Sequence, residues 1–335
     1  MEILITGGAG YIGSNLVKKL LDVNFKVRVL DNLVFGGESL VPFFNDSNFT
    51  LIKGDLTNQK DIEKAVKGCD LVIHLGALVF TGGEDLSTEV DTVNYTATKL
   101  LIMECIKNKI KHFLFFSTCS VYGKTNEKVD ELSPVKPTNP YAFSKYMSEQ
   151  FLLSPEIKSK ITPIIFRLST VFGLSPRMRF DLIINELCAN AYKNKKIEVY
   201  NPEAWRPGVH VDDVTDLVTK SCFLLSECNF ERNNIFNVGY DTLNYQKKEL
   251  CDIIKRELPD VEIITKNTGD VRDYKVSFEK VNIEFSFYPK YSVEDGVKEI
   301  IDALKKGVYK HPYDISYNNL KTYQQYYHDK WRNEK

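Results

Sequence analysis

The chain has 335 residues, enough for one large domain or two closely packed ones, which excludes a small domain held together by disulfides or a metal. Its 44 basic and 45 acidic side chains leave a net charge of −1, so no binding to nucleic acid or to an anionic membrane is expected. With 43% hydrophobic and 27% charged residues, the composition is typical of a soluble enzyme.

Cysteine usage and the N-terminus bear on the compartment. The seven cysteines are scattered, with no C-x-x-C pair and no Cys/His cluster of zinc spacing, which favours reduced thiols and predicts no metal site. The segment Met1–Thr6 lacks a basic region followed by an apolar core, and no uncharged apolar run reaches the roughly 18 residues that span a bilayer. We therefore expect a cytoplasmic protein without a membrane segment.

The first 170 residues alternate short β-branched or aromatic runs with longer stretches of helical period, which predicts βαβ units and a parallel sheet. The predicted strands are nearly all apolar, as expected for strands covered by helices on both faces. They are Glu2–Thr6, Lys26–Leu30, Phe49–Lys53, Asp70–His74, Phe113–Ser117 and Ile161–Arg167. The predicted helices between them are Tyr11–Asp22, Thr57–Lys67, Glu89–Lys109 and Tyr141–Leu153.

One predicted helix carries a single apolar stripe. Val93, Ala97, Leu101 and Cys105 recur every four residues in Glu89–Lys109. Such a stripe can pack against the sheet or against a second subunit, and both interpretations stay open.

The pattern changes after Gly173, where prolines interrupt the chain and short strands separate the predicted helices Asp181–Lys193, Asp212–Leu225, Tyr245–Glu257 and Val293–Lys306. We predict an α/β protein: a Rossmann-type, doubly wound parallel sheet with a smaller C-terminal α/β substrate lobe. Residues 1–173, with a returning strand near 235–238, form the first domain; residues 174–310 form the interleaved lobe; residues 311–335 form a loosely attached tail.

A glycine loop follows the first predicted strand and opens a helix. Gly7, Gly10 and Gly13 allow a tight turn and a close approach of backbone N–H groups to a pyrophosphate. Asp31 ends the next strand eighteen residues after Gly13, where a carboxylate can bind an adenosine ribose. The residues that follow, 32–35, include no arginine to receive a 2′-phosphate, so residues 1–173 are predicted to bind NAD rather than NADP.

Tyr141 and Lys145 are spaced i, i+4 and share one face of a predicted helix. The same spacing occurs at four other places in the chain, so it means little alone. Tyr141, however, follows Pro140 at a helix start. It also comes after the predicted strand Phe113–Ser117, whose end should open into the cofactor crevice and is followed directly by Thr118, Cys119 and Ser120.

The joint pattern resembles the extended short-chain dehydrogenase/reductases that modify nucleotide sugars, the NAD-dependent nucleotide-sugar epimerase/dehydratase family. It comprises the glycine loop, Asp31, Gly54-Asp-Leu56, His74-Leu-Gly-Ala77, Phe116-Ser-Thr-Cys-Ser-Val-Tyr-Gly123 and Pro140-Tyr-Ala-Phe-Ser-Lys145, and the resemblance runs from residue 2 to about 307.

The resemblance implies site residues. Tyr141 would be the acid/base, acidified by the Lys145 ammonium and the cationic nicotinamide, and Thr118 would hydrogen-bond the reacting oxygen. Lys145 would also hold the nicotinamide ribose. The implied cofactor contacts are Gly7, Gly10, Tyr11, Ile12, Gly13, Asp31, Asn32, Asp55, Leu56, Leu75, Gly76, Ala77, Asn94, Tyr141 and Lys145.

The substrate lobe gives a narrower resemblance. The stretch from Arg167 to Asn185 is similar to bacterial enzymes that act on GDP-linked heptoses for capsule polysaccharide, including a 4-dehydrogenase. By motif match, Arg206 and Arg272 would clamp the sugar-nucleotide diphosphate. Arg177, Arg179 and Asn185 would bind base, phosphate or sugar hydroxyls, or be solvated charges at a helix start.

Cys119 and Ser120 limit which reactions of the family are possible. The family's dehydratases place acidic residues there, so 4,6-dehydration is disfavoured, and Cys119 is interpreted as a packing residue rather than a reactive thiol. What remains is hydride transfer at C4 by a 4-dehydrogenase or 4-epimerase, on GDP-heptose or a related GDP-sugar. The alternatives are a UDP-sugar 4-epimerase or 4-ketoreductase, a 4,6-dehydratase and a non-catalytic NAD-binding sensor.

Two further expectations concern histidines and association. The backbone of His74 would touch the dinucleotide, and His210 would be a structural hydrogen-bonder. In the resembling family, the helices matching Glu89–Lys109 and Tyr141–Leu153 pair across a two-fold axis, so a homodimer is expected.

Overall fold

The computed structural model describes residues 1–79, 86–227, 234–266 and 272–333; Cys228 therefore lies outside the described residues. Fourteen strands run in chain order as β1 Glu2–Thr6, β2 Lys26–Asp31, β3 Phe49–Lys53, β4 Leu71–His74, β5 His112–Thr118, β6 Lys124–Val129, β7 Thr162–Leu168, β8 Thr170–Phe172, β9 Lys196–Tyr200, β10 Trp205–His210, β11 Asn234–Val238, β12 Asn244–Gln246, β13 Glu262–Lys266 and β14 Asp273–Val276 among these residues.

The α-helices of the described residues are α1 Tyr11–Asp22, α2 Gln59–Val66, α3 Ser87–Asp91, α4 Ala97–Lys107, α5 Pro140–Leu153, α6 Pro155–Lys158, α7 Ile183–Asn194, α8 Val211–Ser226, α9 Lys247–Glu257, α10 Glu279–Phe285, α11 Val293–Lys305 and α12 Asn319–Asn333. A π-helical turn, Thr92–Thr96, joins α3 to α4, so the predicted helix Glu89–Lys109 is nearly continuous.

Seven strands form the central sheet in the order β11-β7-β5-β4-β1-β2-β3, and every neighbouring pair is parallel. Strands β1, β4, β5 and β7 are almost entirely buried, as expected where helices cover both faces of the sheet, whereas the edge strand β3 buries only Ile52. The strand order reverses between β1 and β4, and this is the point where a parallel α/β sheet opens a crevice at its carboxyl edge. The predicted Rossmann-type fold class is confirmed, including the returning strand near residues 235–238.

Most strands after Gly173 belong to three small sheets among the described residues, together with β6 and β8 from before Gly173. They pair β10 with β8 and β12, β9 with β13, and β6 with β14. The last pair joins a strand from the first half of the chain to one from the second, so the two halves interleave. Segments after Gly173 line the same cavity as the carboxyl ends of β1, β4 and β5.

The end of the chain differs from the expected loose tail. The segment forms a 3-10 turn, Ile315–Tyr317, followed by α12. Tyr323 of α12 is buried against Leu78, Leu86 and Val90. Its tyrosine-rich composition misled the prediction, because Tyr317 and Tyr323 pack against other parts of the protein, whereas Tyr313 and Tyr326 are exposed.

The apolar stripe of α4 faces inward. Ala97, Leu101 and Cys105 are almost fully buried, which supports sheet packing for these positions. The six described cysteines are free thiols and are all buried. None of the described helices combines the length and apolar character needed to cross a membrane.

Candidate active site

The glycine loop joins β1 to α1 at the point where the strand order reverses. Gly7 has φ +73°, and a Cβ there would lie 2.7 Å from the backbone nitrogen of Gly76. A Cβ on Gly13 would lie 2.3 Å from the carbonyl oxygen of Gly7. Only glycines leave room in this cradle, and Gly10 caps α1 without a side chain, so the N–H groups of the first helical turn face the crevice.

Asp31 ends β2 and fixes the loop. Its carboxylate accepts hydrogen bonds from the backbone of Ala9 at 3.0 Å and of Leu33 at 2.9 Å. Burial raises the pKa of Asp31, while these hydrogen bonds act against the shift. On the neighbouring segment, the amide of Asn32 donates to Asp55 at 3.1 Å. These polar groups line one end of the crevice.

One continuous cavity of about 840 Å³ runs from the glycine loop to the substrate lobe. Among the described residues, its wall includes nearly every predicted contact: Gly7, Gly10, Tyr11, Ile12, Gly13, Asp31, Asn32, Asp55, Leu56, Leu75, Gly76, Ala77, Thr118, Tyr141, Lys145, Arg177, Arg179, Arg206 and Arg272. The glycine cradle and the acidic strand end fit a dinucleotide.

Thr118, Tyr141 and Lys145 all line this cavity. Thr118 ends β5, and its hydroxyl accepts a hydrogen bond from the backbone of Ser120 at 3.1 Å. Tyr141 stands in the first turn of α5, which Asn139 caps through a 2.9 Å hydrogen bond from Ala142. Lys145 follows one turn later with 2% of its surface exposed. The helix start therefore carries the tyrosine and the lysine to the end of β5.

The electrostatics of this cluster differ from the sequence expectation for Tyr141. Burial raises the pKa of Tyr141 to about 12, while the charge of Arg179 and a hydrogen bond with Thr118 act against the shift. Burial lowers the pKa of Lys145 to about 7, with the charge of Glu149 acting against the shift. Because desolvation of Tyr141 outweighs the effects of Arg179 and Thr118, the protein alone does not acidify the phenol. The side-chain nitrogen of Lys145 lies 4.8 Å from the centre of the Phe115 ring.

A buried charge network lies behind Lys145. Glu149, the next turn of α5, forms an ion pair of 2.6 Å with Arg167 of β7 and accepts a hydrogen bond from Ser117 of β5. Arg167 also donates to the Tyr122 hydroxyl at 2.9 Å. Both charged side chains are almost fully buried, so the pair fixes α5 against the sheet edge.

The predicted substrate arginines fall into two groups. Arg206 of β10 donates to the backbone carbonyls of Trp205 and Arg272. Arg179 is paired with Asp181 at 2.8 Å and also donates to the carbonyl of Val79. Arg177 lies over the Phe35 ring at 4.9 Å, near the end of β2 rather than near Arg206.

Two predicted contacts lie outside the cavity wall. Asn94 is fully buried, and its amide exchanges hydrogen bonds with the backbone of Leu78 at 2.8 and 2.9 Å. Asn185 is fully buried and binds the Gly173 backbone, the Tyr11 hydroxyl and the Arg179 carbonyl. Asn185 therefore orders the start of the lobe instead of facing a ligand, which corrects the expectation of a substrate contact.

Cys119 and the two histidines are held by the protein itself. The Cys119 thiol is fully buried and donates to the Arg167 carbonyl at 3.2 Å, and burial raises its pKa. His74 bridges the hydroxyls of Thr6 and Thr98, and burial lowers its pKa. His210 receives a hydrogen bond from the Asp212 backbone and lies 2.9 Å from Glu299, which confirms its structural role.

Sequence reasoning missed several cavity residues. Those in the lobe and near the C-terminus are Glu186, Asn190, Glu198, Tyr200, Lys247, Asn318, Asn319, Leu320 and Tyr323. They carry no motif, and only the tertiary fold brings them to the cavity. For Asn319 and Tyr323, the sequence analysis could have predicted the helix that contains them.

A dinucleotide cradle and a Thr/Tyr/Lys set in one cavity fit the extended short-chain dehydrogenase/reductase class of nucleotide-binding proteins. The sequence model of the family described as "NAD dependent epimerase/dehydratase family" matches residues 3–239, which is more than half of the chain. The protein belongs to this family and is an NAD-dependent enzyme.

Individual relatives come from different reactions within the family. A dTDP-D-glucose 4,6-dehydratase of Mus musculus is 27% identical over 327 residues, covering 91% of this chain and 89% of the relative. A probable UDP-arabinose 4-epimerase 3 of Oryza sativa subsp. japonica is 26% identical over 343 residues, covering 93% and 83%.

A solved structure agrees in fold. The UDP-N-acetylglucosamine 4-epimerase from Methanobrevibacter ruminantium M1, in complex with UDP-N-acetylmuramic acid, is 26% identical with a TM-score of 0.81, covering 91% of this chain and 98% of that one.

Proposed function

We propose that the protein transfers a hydride between NAD and C4 of a nucleotide-diphosphate sugar, as a 4-dehydrogenase or a 4-epimerase. The observation that carries the proposal is that one cavity wall contains Thr118, Tyr141 and Lys145 together with the dinucleotide cradle and the arginines Arg177, Arg179, Arg206 and Arg272. In this proposal residues 1–173 hold the cofactor and residues 174–310 hold most of the nucleotide sugar.

The side chains of the cluster have different roles. Tyr141, as phenolate, accepts the proton of the C4 hydroxyl, and Thr118 hydrogen-bonds that oxygen. Lys145 places a positive charge near the phenol and binds ribose hydroxyls of the cofactor. When bound, NAD accepts the hydride that leaves C4. Arg206 and Arg272 bind the diphosphate of the substrate.

Acidification of Tyr141 depends on binding. Burial holds its pKa at about 12, so the phenolate is scarce at neutral pH unless positive charge is added nearby. Arg179 already acts in that direction. A protonated Lys145 would add positive charge near the phenol, and bound NAD would add that of its nicotinamide, so proton removal from the substrate would depend on cofactor binding.

Dehydration remains a second candidate because of the likeness to a dTDP-D-glucose 4,6-dehydratase. The geometry near Thr118 supports it less. Cys119 is fully buried with its thiol turned to the Arg167 carbonyl, and the Ser120 hydroxyl lies 3.3 Å from that of Tyr274. Cys119 and Ser120 therefore do not provide the acid and base needed to expel water from C6.

The preferred substrate in this proposal is a GDP-linked heptose or a related GDP-sugar of bacterial capsule or surface polysaccharide synthesis. Its support is the resemblance of the stretch from Arg167 to Asn185 to enzymes acting on such sugars. The dTDP- and UDP-sugars in the names of the relatives define the competing substrates.

The test is mass spectrometry of products after incubation with a panel of GDP-, UDP-, CDP- and dTDP-sugars, in H2O and in D2O. Loss of two hydrogens from one sugar is the expected result for a dehydrogenase. An unchanged mass with a new retention time identifies an epimerase. Loss of water identifies a dehydratase and contradicts the assignment. Turnover of UDP-sugars alone contradicts the GDP preference.

Two proposals concern the whole protein. The buried free cysteines support a reducing compartment, and we place the enzyme in the cytoplasm. We also propose a homodimer through α4 and α5, because Leu100, Met103 and Phe143 are exposed on these helices.

A further inference from the structure

The C-terminal segment, defined here as residues 315–333, closes one side of the cofactor cavity. Asn318, Asn319, Leu320 and Tyr323 line the same cavity as the glycine loop and Asp31. Tyr323 and Leu320 belong to an apolar cluster that also contains residues following β2 and β4. The members of that cluster are Leu78, Leu86, Val90 and Tyr323, with Val34, Phe35, Val93, Tyr141, Leu320 and Tyr327 packed against it.

Several polar contacts fix the start of the segment to the substrate lobe. The backbone of Phe180 donates to the carbonyl of Tyr317 at 3.0 Å, and the backbone of Asn319 donates to Asp181 at 3.0 Å. The rings of Phe180 and Tyr317 meet edge to face at 5.5 Å. The segment is therefore held in place at the cavity.

Arg177 connects this segment to the adenosine side of the cradle. Its guanidinium lies over the ring of Phe35 and donates through Nη2 to the carbonyl of Ser316 at 3.2 Å. Its Nε is buried and has no hydrogen-bond partner. Burial lowers the pKa of Arg177 to about 10, and the charge of Arg179 adds to this effect.

Asn319 presents the complementary group. Its side chain is buried, and its Oδ1 has no hydrogen-bond partner. Buried polar atoms without partners cost free energy. The carboxylates of Asp31 and Asp181 act on the charge of Arg177, but neither accepts a hydrogen bond from its Nε. An N–H donor on a cation and an amide oxygen acceptor in one cavity match a phosphate oxygen and a ribose hydroxyl.

We propose that Arg177 and Asn319 bind the adenosine diphosphate half of NAD, with the C-terminal segment closing over it. Arg177 donates from Nε to the pyrophosphate, and Asn319 accepts from a ribose hydroxyl. Cofactor release then requires α12 to separate from Val34, Phe35 and Leu78. This moves Arg177 from the substrate contacts expected from the sequence to the cofactor. The proposal rests on NAD as cofactor and not on the sugar reaction.

The test measures NADH release without turnover. Full-length protein loaded with NADH is mixed with excess NAD, and the loss of bound NADH fluorescence gives the dissociation rate. Arg177→Ala is expected to raise this rate about 10- to 100-fold, as for a charge-assisted hydrogen bond, with Arg177→Lys in between. Asn319→Ala is expected to raise it roughly 2- to 10-fold.

Matched controls separate binding from folding. Arg256→Ala removes an exposed arginine that is paired with Glu294 on the surface, and its release rate should equal that of the wild type. Tyr323→Ala should speed release, whereas Tyr326→Ala, at an exposed position of the same helix, should not. Equal release from Arg177→Ala and wild type, with only a lower melting temperature, overturns the proposal.

A second measurement identifies the half of the cofactor. Arg177→Ala should weaken binding of ADP-ribose by the same factor as binding of NADH and leave nicotinamide mononucleotide unaffected. Loss of affinity for GDP or UDP with unchanged affinity for ADP-ribose assigns Arg177 to the substrate and overturns the proposal. Inactivity toward every nucleotide sugar contradicts the proposed function and leaves these binding results intact.

Discussion

At the scale of single residues, the proposed chemistry depends on a phenol that the protein itself keeps protonated. Burial raises the pKa of Tyr141 to about 12, and Thr118 and Arg179 reduce that shift. Tyr141 therefore has two functions. Its ring shapes the cavity wall at all times, but its hydroxyl acts as a base only when positive charge is added nearby. This separation can be tested by removing the hydroxyl alone.

Tyr141→Phe should lower kcat by about 10²- to 10⁴-fold, the usual contribution of a general acid/base. NADH affinity should stay within a few-fold of wild type, because the ring and its packing remain. The checks are steady-state kinetics on the sugar identified by mass spectrometry, and a fluorescence titration with NADH. An unchanged kcat on every sugar that the wild type converts contradicts the assignment and favours a non-catalytic NAD-binding protein.

Glu149 controls the neighbouring lysine through its charge. Burial lowers the pKa of Lys145 to about 7, and Glu149 acts against this shift. If the ammonium form is active, the rate falls as pH rises through that pKa. Glu149→Gln removes the negative charge, so the pKa of Lys145 should fall further and the alkaline limb of the kcat/KM profile should move to lower pH.

The pH profile distinguishes this effect from a structural one. Glu149 also pairs with Arg167, so Glu149→Gln should lower the melting temperature as well. Lost stability alone leaves the position of the alkaline limb unchanged, and that outcome contradicts the electrostatic role. Glu156→Gln, at an exposed glutamate on α6, should change neither the profile nor the melting temperature by more than a small amount.

At the scale of elements, the β1–α1 unit shapes the cofactor cradle by contacts that tolerate no side chain. A Cβ on Gly13 would lie 2.3 Å from the Gly7 oxygen, and the conflict can be relieved only by moving the loop. Overpacking of this kind costs about 1–3 kcal/mol.

Gly13→Ala should therefore weaken NADH binding by roughly tenfold or more, because the moved loop no longer places its N–H groups on the pyrophosphate. Gly68→Ala is the matched control. Gly68 has φ +79° and no neighbour within 4 Å, so it should cost about 1 kcal/mol of stability and leave the affinity unchanged. A Gly13→Ala protein with wild-type affinity contradicts the cradle. Isothermal titration with NADH gives the affinities of both variants.

The sequence predicted the bounds of those elements whose residue pattern is set by packing in or against the central sheet. The strands that became β1, β3 and β5, and the helix that became α1, are found within a residue of their predicted bounds or at them. Local chemistry also placed Tyr141 and Lys145, because Pro140 and the capping Asn139 fix the start of α5.

Contacts decided by tertiary packing were beyond the sequence. Asn185 carries a polar side chain after a run of arginines, and only the fold shows that its partners are Tyr11, Gly173 and Arg179. The short strands β6 and β14 pair across a long sequence separation, so neither segment predicts the other. The role of α12 depends on the cluster around Tyr323, whose other members come from distant segments.

At the scale of the whole molecule, the outer faces of α4 and α5 remain apolar after the inward stripe is buried. Leu100 and Met103 are 36% and 47% exposed on α4, and Phe143 is 51% exposed on α5. These helices are adjacent, so the exposed side chains can form one surface. A net charge of −1 gives little long-range repulsion between copies of the chain. Both features favour the proposed homodimer.

Introducing charge on this surface should separate the subunits. The double variant Leu100→Glu, Met103→Glu places like charges opposite each other across a two-fold axis and removes apolar area from the interface. Sedimentation velocity at micromolar concentration should give a dimer for the wild type and a monomer for the variant. Ile283→Glu, at a residue 69% exposed on α10, should remain dimeric. A monomeric wild type refutes the homodimer, and a dimeric double variant places its interface elsewhere. NADH affinity should be unchanged in the double variant and in Ile283→Glu, because Leu100, Met103 and Ile283 do not line the cavity.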